Sequence, residues 1–97
     1  MAIRLFVQIN AAPGKGTELA QAMAERCREV QAEPGCEHYE VFQSALEPDK
    51  LILLERWSDP EALRVHAELN RTRPQIAPEL RSGVPGERKD YEYNRTR

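Results

Sequence analysis

The residues best equipped for chemistry in this sequence stand close together. Glu55, Trp57 and His66 all fall within "LILLERWSDPEALRVH" at 51–66. An imidazole has an ordinary pKa of about 6.5 and can act as base toward a bound weak acid. An indole can be plain core or a wall on which a flat guest stacks. Glu55 shares a strand face with Trp57, where it either orients the imidazole or ends the strand in solvent. Tyr39, Tyr91 and Tyr93 are further candidates to line a pocket, although strand tyrosines more often pack. An inward histidine just as often bonds a buried carbonyl, so none of these residues is specific alone.

What aims His66 is its helix. Leu63 and His66 are three residues apart and so are neighbours on one face, which Leu69 and Asn70 continue. Leu63 must face the sheet to be buried, and His66 then faces it too, near Trp57. Leu63 and Asn70 therefore join the candidate lining. An anionic guest would need Arg or Lys inside such a cavity. Arg56 falls on the strand face opposite Trp57, so no anion clamp is evident, although Arg64, Arg71 and Arg73 lie nearby.

The elements that position these residues can be read from periodicity. "IRLFVQIN" (3–10) alternates as a strand. "APGKG" (12–16) is a turn, and a helix capped near Thr17 carries the stripe Leu19, Met23, Cys27, Val30. "EPG" (33–35) ends it. "EHYEVFQSA" (37–45) is a second strand, with Tyr39 and Val41 on one face and His38, Glu40 and Phe42 on the other. "LEPDK" is a hairpin loop. "LILLERW" (51–57) is a third strand whose four consecutive apolar residues require cover on both faces. The simplest cover for the second face is another copy of the same sheet. Ser58 or Asp59 caps a second helix over 58–69, with Pro60 in its first turn. Pro74 and Pro78 break the chain over 70–80, and "RKDYEYNRT" (88–96) is a last strand with Tyr91 and Tyr93 on one face. The order β-α-β-β-α-β predicts a ferredoxin-like α+β fold, an antiparallel sheet with its helices on one face.

Composition sets limits. Residues 1–97 hold no linker and read as a single domain. Leu, Ile, Val and Phe make up 20 of the 97 residues, a thin core that pairing would enlarge. Fourteen basic and sixteen acidic residues are interspersed, and the net charge is −2. That argues against a nucleic-acid or anionic-membrane surface, which needs a clustered basic face. The apolar run at the start is too short for a signal core or a membrane span, which implies a cytoplasmic protein. Cys27 and Cys36 have no metal spacing and read as two free, half-buried thiols, with no metal site. "PGKG" lacks the spacing of a phosphate loop.

Taken together, "APGKGTEL", "EPGCEHYEVFQS", "LILLERWSDPEALRVH" and the closing "GERKDYEYNRT" resemble the antibiotic-biosynthesis monooxygenase family of dimeric α+β-barrel proteins. The resemblance spans nearly the whole chain, and the Glu-x-Trp … Glu-Ala-Leu … His stretch is its most specific part. It implies a homodimer with facing sheets and a cavity between each subunit's helices and its own sheet. It also implies oxidation of a quinol or polycyclic phenol by molecular oxygen with no cofactor, neither metal nor flavin. Carried onto this sequence, His66 is the base, Trp57 the stacking wall and Tyr39 a lining residue. The Asn-Trp-His arrangement of haem-degrading relatives is missing: Val7 sits in the middle of strand one and the only Trp is on strand three. Some polyketide-oxidising members carry a polar amide within strand three, where "LILL" has none. The family also includes isomerases acting on small phosphates, so an isomerase or a non-catalytic ligand-binding dimer is the alternative.

Overall fold

The computed structural model describes residues 2–96. Its strands are β1 (Ile3–Asn10), β2 (Cys36–Gln43), β3 (Lys50–Trp57) and β4 (Arg88–Glu92), and its helices α1 (Gly16–Gln31) and α2 (Pro60–Arg71). The order β1-α1-β2-β3-α2-β4, with a short 3-10 turn at Pro78–Leu80 before β4, is the expected ferredoxin-like α+β arrangement. The sheet runs β2-β3-β1-β4, antiparallel throughout, with β3 and β1 at its centre.

Alternation decides which side chains meet the helices. On the inner face, Ile3, Leu5 and Ile9 of β1 and Leu51, Leu53, Glu55 and Trp57 of β3 are buried. The stripe Leu19, Met23, Cys27 and Val30 of α1 packs on them. Register pairs Leu5 with Glu55 and Val7 with Leu53, and Tyr39 of β2 with Glu55. Glu55 thus sits mid-sheet between two strands, not in solvent at a strand end.

The start of α1 differs from expectation. Thr17 is not the cap; Lys15 holds that position without a side-chain bond. Asp49, from the β2–β3 hairpin, supplies the missing acceptor, taking the N–H of Gly14 at 2.9 Å and of Gly16 at 3.0 Å. Such a long-range substitute is invisible to a local rule, which seeks the cap in neighbouring residues. Gly16 is required for the approach, since a Cβ there would collide with the Pro48 carbonyl oxygen. On α2, Asp59 is the cap, accepting the N–H of Ala62 at 2.8 Å, with Pro60 in the first turn.

The last strand is shorter than predicted, ending at Glu92, and every one of its residues is exposed. Tyr91 lies on the far face of the sheet, edge-on to Phe6 with centroids 5.8 Å apart. Tyr93 lies under the Arg4 guanidinium. The far face of β3 carries Ile52 and Leu54, half-buried. Phe6, Phe42 and Tyr91 are exposed around them at 42%, 44% and 46%. No helix among the described residues is long and apolar enough to cross a membrane.

Candidate functional site

α2 is a helix whose one buried residue is polar: His66, 5% exposed. Leu63 packs only partly against the core, and Val65 and Leu69 are exposed. The helix therefore does not seal onto the sheet. Between it, α1 and the inner sheet face lies a cavity of about 520 Å³, within the range of small-molecule sites. Val7, Ile9, Met23 and Leu53 form its apolar wall, and Tyr39, Glu55, His66 and Asn70 its polar one.

His66 is held from outside its own helix. Its Nδ1 lies 2.9 Å from Oε1 of Glu33, just past the end of α1. A carboxylate only accepts, so Nδ1 carries the hydrogen and donates it, which leaves Nε2 as the basic nitrogen. Glu33 Oε2 in turn lies 2.8 Å from Nη2 of Arg73 in a nearly buried ion pair. A carboxylate behind an imidazole fixes its tautomer and stabilises the imidazolium formed when it takes a proton.

Glu55 has a different environment. Its Oε1 accepts the indole N–H of Trp57 at 2.9 Å. Burial pushes its carboxyl above the usual range, opposed by the Trp57 hydrogen bond and the nearby charges of His66 and Arg88. Glu55 is thus biased toward holding a proton, whereas His66 is arranged to accept one. A carboxyl held toward its protonated form and an imidazole with a free ring nitrogen in one cavity are the raw material of acid–base work. Burial also raises the pKa of Tyr39, chiefly by desolvation and then by Glu55, so its phenol stays a donor. Gln31 ties the strand there, donating its side-chain N–H to the Tyr39 carbonyl at 2.8 Å.

Of the residues singled out from sequence, the structure brings His66, Tyr39, Glu55 and Asn70 to the cavity wall. Four lie elsewhere, Tyr93 among them, under Arg4. Trp57 is fully buried and stacks directly on His66, centroids 4.6 Å apart and planes tilted 31°. No guest fits between those rings, so Trp57 backs the site instead of facing the ligand. Leu63, a turn earlier on α2, packs toward the core. Tyr91 is on the opposite face of the sheet, because its partner in β1 is Arg4 and not an inward residue. Glu55 does not orient His66 through a hydrogen bond; Glu33 does.

Glu33 has no place among the residues the sequence singles out, and Arg73 stands there only as an arginine lying nearby. Glu33 sat inside the turn read only as a helix stop, and nothing local ties it to a histidine 33 positions on. Arg73 did carry a signal, since 66, 70 and 73 continue one helical stripe. The arginines are a further departure. Arg26, Arg71, Arg73, Arg81 and Arg88 all line the cavity, whereas Arg64 is bound on the surface to Glu61 and Glu68. Arg56 pairs with Glu37 on the far face. Both cysteines are free, Cys27 buried and Cys36 half-buried. Desolvation, then Glu33, pushes the Cys36 thiol up to about 11, which makes it a poor nucleophile. Among the described residues no group of three His, Cys, Asp or Glu side chains could hold a metal ion.

The same fold recurs in solved structures. A conserved protein from Methanosarcina mazei Go1 is 26% identical, with a TM-score of 0.78 over 97% of this chain and 94% of that one. Rv0793 from Mycobacterium tuberculosis is 23% identical, with a TM-score of 0.77 over 98% and 97%. A Deinococcus radiodurans protein, provisionally described as an antibiotic biosynthesis monooxygenase, is 17% identical, with a TM-score of 0.70 over 98% and 94%. The latter two bear on the fold alone. No curated protein matches the sequence at a significant level. The model of one family, described as antibiotic biosynthesis monooxygenase, matches residues 2–73. With that match over the greater part of its length, the chain belongs to the antibiotic biosynthesis monooxygenase family.

Proposed function

We propose that this chain, acting as one domain over residues 1–97, is a homodimeric, cytoplasmic oxygenase. Its substrate is a quinol or polycyclic phenol, and its oxidant is molecular oxygen used without metal or flavin. The observation that carries this reading is His66 on the cavity wall with the nearly buried Glu33 carboxylate behind it. Nε2 of His66 takes the proton of the bound phenol, and Glu33 stabilises the imidazolium. The apolar wall of Val7, Ile9, Met23 and Leu53 seats the ring and keeps water off the anion, whose electrons then go to oxygen. Tyr39 and Asn70 offer hydrogen bonds to the guest's oxygens. For a quinol, two electrons and two protons pass to oxygen, giving quinone and hydrogen peroxide, the oxidase outcome of the same chemistry with no oxygen inserted. For an anthrone, oxygen adds at the deprotonated ring carbon and the hydroperoxide loses water to give the quinone.

The dimer rests on the far face of the sheet, where Phe6, Phe42, Ile52, Leu54 and Tyr91 form an apolar surface that a second copy would cover. Family membership supports the same assembly. The direct test is oxygen consumption by purified protein across a panel of hydroquinones and anthrones. Uptake above the uncatalysed background is expected for at least one; a blank panel overturns the reading.

One observation favours a second reading. His66 and Glu55, one arranged to accept a proton and the other to hold one, are also the pair an isomerase needs. Solvent deuterium entering the guest with no oxygen consumed would identify that activity.

A further inference from the structure

The oxygenase reading leaves the charge of the cavity wall unexplained. Five guanidinium groups line it, with Glu55 as the one carboxyl among the lining residues. Two have partial compensation: Arg26 is 3.6 Å from Glu29, and Arg88 is 3.5 Å from Asp90. Of the other three, Arg73 shares its carboxylate, Glu33, with His66, and Arg71 and Arg81 have no carboxylate partner among the described residues. Arg73 Nη2 forms an ion pair with Glu33 Oε2, but its Nη1 is buried without an acceptor. Arg81 donates Nε to the Ile76 carbonyl at 2.9 Å and has no carboxylate beside it. Burial pulls its pKa down, as expected of a cation held out of water with no counter-charge.

Cations withdrawn from water unpaired cost free energy. A guanidinium fork is the side chain suited to a planar oxyanion. From the placement of Arg71, Arg73 and Arg81 around a cavity with an apolar wall, we propose that the guest is an aromatic acid, a phenolic ring bearing a carboxylate. This deepens the oxygenase reading and rests on it, naming the class of substrate. Arg73 Nη1 and Arg81 hold the carboxylate, and exposed Arg71 adds long-range attraction at the rim. The apolar wall of Val7, Ile9, Met23 and Leu53 beside these guanidiniums favours an anion carried on a ring over a bare inorganic one.

Two air-stable probes differing by one carboxylate test the point: 1-hydroxy-2-naphthoate and 1-naphthol, titrated into the protein by calorimetry. The acid is expected to bind about tenfold or more tightly than the naphthol, a gap of about 1.4 kcal/mol, narrowing as salt rises. Arg81→Gln should remove most of that preference and leave 1-naphthol affinity within about twofold. Arg81 also braces the Ile76 carbonyl, so Arg71→Gln, on the exposed rim, is the control that cannot fail for want of folding; a smaller loss of the same sign is expected. Inorganic phosphate is the third probe. Equal affinities, no binding of the acid, a preference untouched in both variants, or phosphate displacing the acid at comparable concentration would each overturn the proposal. Oxygen uptake is not read, so a protein that binds the acid yet oxidises nothing keeps this inference and loses the oxygenase one.

Discussion

Trp57 and His66 lie ring against ring, centroids 4.6 Å apart, while the indole N–H reaches back to Glu55 at 2.9 Å. The tryptophan therefore serves both titratable groups of the cavity from behind. It limits where the imidazole can turn, and it supplies a hydrogen bond to a carboxyl that burial would otherwise leave with less support.

Trp57→Phe separates that role from ligand stacking. The substitution keeps an aromatic ring against His66 and removes the donor to Glu55. Leaving a buried acceptor unsatisfied costs about 1–3 kcal/mol, to which the smaller ring adds a cavity penalty. A loss of about 2 kcal/mol or more in urea denaturation is expected, with 1-naphthol affinity changed less than about twofold. An affinity collapse with stability intact would put the indole in contact with the guest.

Glu55 makes stability depend on pH in an unusual direction for a carboxyl. Its folded pKa is raised, chiefly by burial, so between the ordinary carboxylate range and the raised value the folded state binds more protons than the unfolded state. Stability from this group is therefore present in acid and falls as pH rises through that window. Glu55→Gln keeps an oxygen to accept the Trp57 N–H and never ionises. The variant should match the parent near the acidic end and exceed it at neutral pH, flattening the decline in melting temperature. A parallel decline in both proteins would remove Glu55 as its cause.

Much of this arrangement was legible in the sequence because it is periodic. Alternation in "IRLFVQIN" and the stripe on α1 fix which faces meet, and the His66 spacing from Leu63 turns the imidazole inward. What was not legible depends on side chains reaching across the chain. Asp49 caps a helix 33 residues upstream, and Glu33 anchors His66 over the same separation; neither has a local pattern. The Trp57 misreading has a similar origin. Face assignment correctly put Trp57 and His66 on the same side, but it says nothing of the gap between them, which is closed. Four arginines of the cavity, Arg26, Arg71, Arg73 and Arg88, sit in ordinary charged surroundings in sequence, and only the packing of α1, α2 and β4 brings them to one wall.

Removing the proposed base gives the sharpest kinetic test. His66→Ala should lower turnover about 100-fold or more, the usual contribution of a positioned general base, with circular dichroism unchanged. The substitution opens space beside Trp57, so added imidazole should restore part of the rate. Glu33→Gln retains an acceptor but not the charge, and a loss of about 10–100-fold is expected. Because Trp57 is the chain's single tryptophan, its fluorescence should rise in His66→Ala as the stacked quencher leaves. Full activity in both variants would separate the dyad from catalysis.

The assembly can be tested without knowing the substrate. Ile52 is half-buried on the far face of β3, and in β1 its partner is Gln8, two residues along from Phe6. Within one chain a lysine at 52 can extend along the sheet and keep its ammonium in water, so the fold should survive. Across a face-to-face interface each subunit would instead bury a new charge against the other's apolar surface, a cost of several kcal/mol per ion. Light scattering should give the mass of two chains for the parent and of one for Ile52→Lys. The variant's melting temperature should also stop depending on protein concentration. A parent that already scatters as one chain would refute the dimer and leave the far-face cluster of Phe6, Phe42 and Leu54 to be explained by another partner.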